Sequence, residues 1–193
     1  MRPAMKALIL TGAIALLLAP VQARADGFVT PWIGSAFGSS FNNGQASFGV
    51  SAGAMTAGII GGELDFGYSP SFFGTKSDFG NNTVMSVMGN IIVGVPVGGT
   101  RGAGLRPYLT AGAGLLRTQI DGGTLTKVSS SDNVLGWNAG AGVMGFFSDH
   151  VGLGGDLRYV RGFKDTNTGV TSIDLNGGGQ LHFWRASVGI ILR

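Results

Sequence analysis

The chain has 193 residues, 44% of them hydrophobic and only 12% charged, with a formal net charge of +3 and no cysteine. The absence of cysteine excludes disulfides, thiolate chemistry and a lipid-modified N-terminal Cys. A mean hydropathy of +0.31 suits a membrane protein, and no basic run or basic stripe with interleaved aromatics offers a nucleic-acid surface.

The N-terminus reads as a targeting segment. Arg2 and Lys6 precede an apolar run over 7–18, and Ala23-Arg24-Ala25 offers a small-residue cleavage site before Asp26. This is the pattern of a secretory signal peptide, and the apolar run is too short to span about 30 Å of hydrocarbon. Residues 1–25 are therefore expected to be removed, leaving 26–193 as one domain. Three of the thirteen basic residues (Arg2, Lys6, Arg24) leave with the signal, so ten Lys/Arg then face ten Asp/Glu. Beyond residue 25 no apolar run approaches the roughly 18 residues of a spanning helix. Only helices and closed barrels satisfy their backbone inside lipid, which leaves the barrel.

Eight alternating segments follow in chain order, separated by Gly/Ser/Asn/Asp clusters. The first, 28–37, contains Pro31, which predicts a missing ladder bond or a bulge. The second, 46–55, sets Phe48, Val50, Ala52 and Ala54 against Ser47, Gly49, Ser51 and Gly53. In the third, 58–68, Ile60, Leu64, Phe66 and Tyr68 oppose Gly61, Glu63, Asp65 and Gly67. The fourth, 83–95, carries Met85, Val87, Ile91 and Val93 on one face, with Ser86 and Asn90 opposite.

The fifth, 105–117, opposes Leu109, Ala111, Ala113 and Leu115 to Thr110, Gly112 and Gly114. The sixth, 134–147, does the same with Trp137, Ala139, Ala141 and Val143 against Asn138, Gly140 and Gly142. In the seventh, 151–161, Val151, Leu153, Leu157 and Tyr159 face away from Gly152, Gly154, Asp156 and Arg158. The eighth, 181–193, places Trp184, Ala186, Val188, Ile190 and Leu192 on one face and Arg185 on the other. Its length matches the roughly 9–11 residues that a tilted strand needs to cross a bilayer. Long and short connections mostly alternate, as in outer-membrane barrels. The fourth connection, 96–104, is longer than a tight turn.

The predicted fold is all-β: an eight-stranded antiparallel up-and-down transmembrane β-barrel, whose interior side chains can fill. The 36 glycines fall mostly on the presumed inner face, where they leave room for larger neighbours. Glu63, Asp65, Asp156, Arg158 and Arg185 all fall on the inner set at one depth. Unpaired charges there are costly, so a network of ion pairs across the lumen is expected, with packing preferred over an ion path or proton chemistry.

Other motifs carry less. Gly140-Ala-Gly142-Val-Met-Gly145 matches G-x-G-x-x-G but lies inside an alternating strand, without the following helix that dinucleotide binding requires. His150 and His182 have no second ligand at metal spacing, and neither is followed at two residues by the Ser that outer-membrane lipid hydrolases pair with a His. Aromatics gather near strand ends, with Phe37, Phe48, Tyr68, Phe163 and Trp184 toward the outside and Phe28, Tyr108, Phe146 and Phe147 toward the periplasm, as two interface belts. Phe72, Phe73 and Phe79 sit in the long loop 69–82, as a contact surface or as loop packing.

The segments TPWIG (30–34), GGELDFGYSP (61–70), RPYLTAGAG (106–114) and GGDLRYVRG (154–162) resemble strand motifs of the small outer-membrane β-barrel domain family, which includes OmpA-type transmembrane domains and OmpX-like proteins. The resemblance covers 26–193 and implies an eight-stranded barrel with polar charges in its lumen. No peptidoglycan-binding domain follows the last strand, so cell-wall anchoring is not expected. The chain ends Ile191-Leu192-Arg193 rather than in the aromatic residue of the family's assembly signal.

The function expected is that of a non-enzymatic integral outer-membrane protein with a structural, surface-interaction or narrow porin-like role. The expected partners are outer-membrane lipid and lipopolysaccharide, the barrel-assembly machinery and, through the long loops, an extracellular ligand. No cofactor, metal site or nucleic-acid partner is expected. The alternatives are a lipid-modifying barrel enzyme and a soluble ligand-binding barrel.

Overall fold

The computed structural model describes residues 25–38, 44–70, 81–98, 102–121, 129–163 and 181–193. Residues 1–24 of the proposed signal peptide, and Phe72, Phe73 and Phe79, lie outside the described residues. The described strands are β1 (Ala25–Phe37), β2 (Gln45–Thr56), β3 (Ile60–Pro70), β4 (Asn81–Gly94), β5 (Gly104–Asp121), β6 (Ser129–Phe146), β7 (Val151–Gly162) and β8 (His182–Leu192). Each pairs antiparallel with the next, and β1 pairs with β8 to close a barrel.

The register fixes the tilt. From Gly27 the paired residues run through Ala54, Gly62, Ile91, Ala111, Ala139, Tyr159 and Trp184 and return to β1 at Phe37. The circuit thus climbs ten residues, from 27 to 37, and an eight-stranded barrel with that stagger has strands inclined at about 40°. Residues far apart in register are thereby brought to one depth.

The alternation acts as the sequence implies on the outer wall. Ile33 (67% exposed), Ile91 (63%), Leu109 (66%) and Val188 (62%) face outward, with Leu64, Leu153, Leu157 and Ile190 around them. A soluble barrel has the reverse arrangement, so the soluble alternative fails on this face. No described helix is long and apolar enough to cross a membrane; the strands are what cross.

The inner wall differs from expectation in one respect. The charges do point inward, but large apolar residues point inward as well. One apolar layer near the end that carries the chain termini contains Phe28, Met55, Ile92, Tyr108, Met144, Phe146 and Ile191. A second, near the opposite end, contains Ala36, Val84, Met88, Leu116, Val160 and Phe183. The periplasmic-side belt therefore needs correction: Phe28, Tyr108 and Phe146 are buried in the lumen, and of the four only Phe147 is exposed to the outside. Nearness to a strand end does not determine which face a side chain takes; parity along the strand does.

Strand ends and turns follow local chemistry. The turn after β2 places Ala57 (φ 51°) and Gly58 (φ 69°) in the left-handed region, and Ile59 N–H donates to the Thr56 carbonyl at 3.0 Å. Two successive positive φ angles make a type I′ hairpin turn, which suits the strand twist. The third strand accordingly begins at Ile60 rather than Gly58. β5 and β6 run beyond the expected segments, to Asp121 and from Ser129. Their added residues include Thr118, Gln119 and Ser129–Ser131, which lack the apolar contrast that lipid imposes.

The long fourth connection extends the β4–β5 hairpin. Val97 and Leu105 exchange N–H···O bonds at 2.8 and 3.0 Å, and Gly102 N–H donates to Asp149 Oδ1 at 2.6 Å. Pro31 interrupts the ladder without a bulge: β1 pairs with β8 at Val29↔Leu192 and resumes at Trp32↔Gly189 in the same register.

The glycine motif of β6 is a packing device. A Cβ on Gly140 would stand 2.8 Å from Arg158 Cγ, and one on Gly142 would stand 2.6 Å from Tyr108 Oη and 2.7 Å from Asp156 Cβ. Gly142→Val is therefore expected to destabilise the barrel by about 1–3 kcal/mol through overpacking. Urea unfolding of refolded protein in micelles, followed by tryptophan fluorescence, measures this.

Candidate functional site: the charge layer in the lumen

The inward charges arise from one alternation used three times. Glu63 and Asp65 stand two apart on β3, Asp156 and Arg158 two apart on β7, and Arg185 on β8. In an eight-stranded barrel β3 and β7 lie across from each other, so the long Arg158 side chain bridges the lumen.

Arg158 is the hub. Its Nη1 and Nη2 donate to Glu63 Oε1 and Oε2 at 2.7 and 3.3 Å, a two-pronged contact across the barrel. Its Nε donates to Asp156 Oδ2 at 2.8 Å, its Nη2 lies 2.6 Å from the same oxygen, and Asp65 Oδ2 lies 3.9 Å from Nη1. Arg185 Nη1 donates to Asp65 Oδ1 at 2.8 Å, and its guanidinium stacks 4.1 Å from the Trp32 ring centre. All five sequence-selected residues thus form one connected cluster, and four of them (Glu63, Asp65, Arg158 and Arg185) are almost fully buried.

Neutral donors complete the layer. Ser51 Oγ donates to Asp65 at 2.9 Å, Asn90 Nδ2 to Glu63 at 2.9 Å, Ser187 Oγ to Asp156 at 2.7 Å and the Tyr108 hydroxyl to Asp156 at 3.1 Å. Asn138 Nδ2 donates in turn to Asn90 Oδ1 at 2.8 Å. Three carboxylates against two guanidiniums leave one excess negative charge, which these hydroxyl and amide donors help to stabilise. Glycine makes the space: a Cβ on Gly49 would meet the Trp32 indole at 2.5 Å, and one on Gly67 would meet Arg185 Nη1 at 3.0 Å.

Sequence reasoning missed Trp32, Tyr108 and Arg106 as lumen residues. The signal was available, since Arg106 and Tyr108 share the parity of Thr110 and Gly112. Arg106 is 3% exposed; its guanidinium carbon lies 5.2 Å from the Phe146 ring centre and its Nη1 4.0 Å from Met55 Sδ. At the same end Arg193 pairs with Asp26 at 3.1 Å and stacks 4.1 Å from Phe146.

Neither histidine joins the layer. His150 lies in the turn after β6, where Ser148 Oγ accepts from the His150 and Val151 amides at 3.3 and 3.2 Å. His182 pairs across strands with Arg161, its ring 6.5 Å from Tyr159. No group of three or more His, Cys, Asp or Glu among the described residues is arranged to hold a metal.

Removing the hub alone takes the guanidinium partner from two carboxylates, Glu63 and Asp156, in the charge layer. Arg158→Met is expected to destabilise the barrel by about 3–5 kcal/mol. Glu63→Gln in the same chain should restore part of that loss, because the pair is lost together. Urea midpoints of the two single variants and the double variant give the coupling.

Comparison with known proteins agrees with this architecture. A family model described as the outer membrane protein beta-barrel domain matches residues 11–189. No curated protein sequence matches the chain. Among solved structures, Neisserial surface protein A superposes with a TM-score of 0.65 at 17% identity, covering 86% of this chain and 96% of that one. The N-terminal β-barrel domain of Pseudomonas aeruginosa OprF gives 0.54 at 18% identity, covering 88% and 98%. Ail, the attachment invasion locus protein of Yersinia pestis, solved with the heparin analogue sucrose octasulfate, gives 0.51 at 15% identity, covering 86% and 99%. A layer of paired charges inside an apolar-walled eight-stranded barrel is thus built on a chain that belongs to the outer-membrane protein β-barrel domain family, whose place is the bacterial outer membrane.

Proposed function

We propose that this protein is a closed, non-enzymatic barrel that serves as a membrane scaffold for surface contacts made by its longer connections. The observation that carries the reading is the filling of the lumen in three stacked layers, apolar, ionic and apolar. A cavity of about 30 Å³, bordered by Thr30, Ser51, Glu63, Tyr108, Asp156 and Ser187, has room for only a few water molecules. A hydrated ion needs more, and both ends of its path are occupied by buried apolar side chains. This supports a structural role over a narrow porin-like one.

The connections support the surface role. Those at the end away from the chain termini span 38–44, 71–80, 122–128 and 163–181, against 57–59, 95–103 and 147–150 at the other end. Longer loops belong on the extracellular side. Two barrels of similar fold are named a surface protein and an attachment invasion protein, and contact with an extracellular ligand through such loops is the corresponding reading here. The lipid-modifying alternative draws no support from the contacts described for His182, which pairs across strands with Arg161 and lies beside the Tyr159 ring.

Planar-bilayer recording of the refolded mature protein is the direct test. The expected trace shows no discrete channels, and well-resolved unitary conductance would overturn the closed-lumen reading.

A further inference from the structure

Among the described residues the buried charges are paired, with one exception. Arg158 and Arg185 each have a carboxylate within 2.8 Å. Arg106, near the start of β5, is as deeply buried, yet no described carboxylate lies within ion-pairing distance of it. Its Nε has no hydrogen-bond partner, and its Nη1 reaches only the Met55 thioether, a weak acceptor, at 4.0 Å. A buried guanidinium without an anion is costly, and an unsatisfied buried donor calls for a physical reason.

Glycine makes the space around this guanidinium. A Cβ on Gly58, in the turn after β2, would stand 2.5 Å from Arg106 Cζ and 2.7 Å from its Nε. One on Gly94, at the end of β4, would stand 3.2 Å from its Cγ. Gly104 is the next inward position toward the mouth of the barrel; it is half-buried and has no side chain to cover the group. Arg193, at the end of β8, lies over the same ring as Arg106: the two guanidinium carbons stand 4.1 and 5.2 Å from the Phe146 centre. Asp26 on β1 pairs with Arg193 at 3.1 Å. Arg106, Arg193 and Asp26 together carry one excess positive charge, the reverse of the ionic layer above them.

We propose that Arg106, with Arg193 beside it, binds a small oxyanion, a carboxylate or a phosphate, at the periplasmic mouth of the lumen. Guanidinium N–H groups match the oxygens of both anions in geometry and charge. Met55 and Phe146 belong to the apolar layer behind the site, and a low-dielectric wall strengthens the attraction. Asp26 competes with the incoming anion for Arg193. A different use of Arg106 would be to balance the excess negative charge of the ionic layer, since Tyr108, one inward position above it, donates to Asp156. An Arg106 with that role alone takes no anion. The site shares the orientation given by the loop lengths but does not need a closed lumen, so anion binding and the conductance test fail separately.

The experiment titrates the mature protein, labelled with ¹⁵N and ¹³C and refolded in maltoside micelles, with inorganic phosphate, acetate or chloride at matched ionic strength. Nuclear magnetic resonance follows the arginine Nε–H signals, each assigned through its own side-chain carbons. The Arg106 signal is expected to shift and half-saturate below roughly 10 mM oxyanion, while that of Arg158 stays in place. Saturation by both oxyanions supports a site for either, and saturation by one alone narrows the ligand to that anion. Asp26→Asn removes the competing carboxylate and should lower the half-saturating concentration by roughly fivefold, a gain that damage to the fold would not produce. A drift that does not saturate, equal in chloride, overturns the proposal and leaves Arg106 as a counter-charge to the ionic layer. Unchanged or weaker binding in Asp26→Asn overturns it as well. If that variant fails to refold, the wild-type comparison of oxyanions with chloride decides alone.

Discussion

Closure of the backbone ladder between β1 and β8 is the constraint on which the rest of this barrel depends. Hydrocarbon offers no substitute partner for an N–H or C=O, so a sheet that spans a bilayer must end where it began. That closing seam has only seven register pairs, while β5 and β6 share eighteen. Pro31 explains the gap within it: with no N–H to offer β8, it sits on the side where a bond is absent, while its pairing with Val50 on β2 remains in register. Residues at the lower limits of β1 and β8 reinforce this seam. Arg193 N–H donates to the His150 carbonyl at 2.9 Å, its guanidinium pairs with Asp26 on β1, and the same group stacks on Phe146 of β6. The last residue thus fastens the last strand to the first through side chains where the backbone ladder is thin.

Closure with eight strands leaves an interior that side chains must fill, and the stagger of ten residues decides which side chains meet. Inward residues of β3, β7 and β8 come to one depth because the strands tilt, not because they are near in sequence. The layers follow from that geometry. Phe28, Met55, Ile92, Met144 and Ile191 close one side of the ionic layer, and Val84, Met88, Leu116 and Phe183 close the other. The ion pairs are therefore kept from bulk water, where an exposed pair contributes little. Burial makes each partner indispensable to the others, and the dense ring of Ser, Asn and Tyr donors reflects that.

The fold was legible because lipid imposes one uniform rule on the outer wall. The middle of every outward set, from Phe48–Ala54 on β2 to Trp184–Leu192 on β8, is apolar, and a period of two repeated eight times leaves few alternatives. The five charges were legible for the complementary reason, since lipid rejects them and parity sends them inward. The inner wall is read less easily, because packing there accepts Met55, Ile92 and Phe146 beside Glu63 and Arg158. Phe28, Tyr108 and Phe146 look like belt residues when judged by distance from the strand end, and only parity reveals that they point inward. The extensions of β5 and β6 place polar residues such as Thr118, Gln119, Asp121 and Ser129–Ser131 at both parities, so alternation vanishes while the ladder continues. Arg106 shares the inward parity of Thr110 on β5 and is buried in the lumen for that reason.

An ionic layer between two apolar layers calls for a physical reason, since apolar residues of similar volume can stabilise an interior as well or better. Register supplies one. A slip of one residue in a strand moves its inward set to the lipid, and the outer wall alone forbids that. A slip of two keeps every face correct, and the apolar layers would accept it with modest repacking. It would nevertheless carry Arg158 about 6–7 Å along its strand, away from Glu63 on the far side of the lumen. The Arg185–Asp65 pair would lose its contact in the same way if β8 slipped against β3. Glu63, Asp65, Arg158 and Arg185 penalise the misalignments that alternation cannot detect, and they do so between strands that share no ladder. The backbone closes the barrel, the lipid selects its faces, and the buried charges discriminate among the registers that remain.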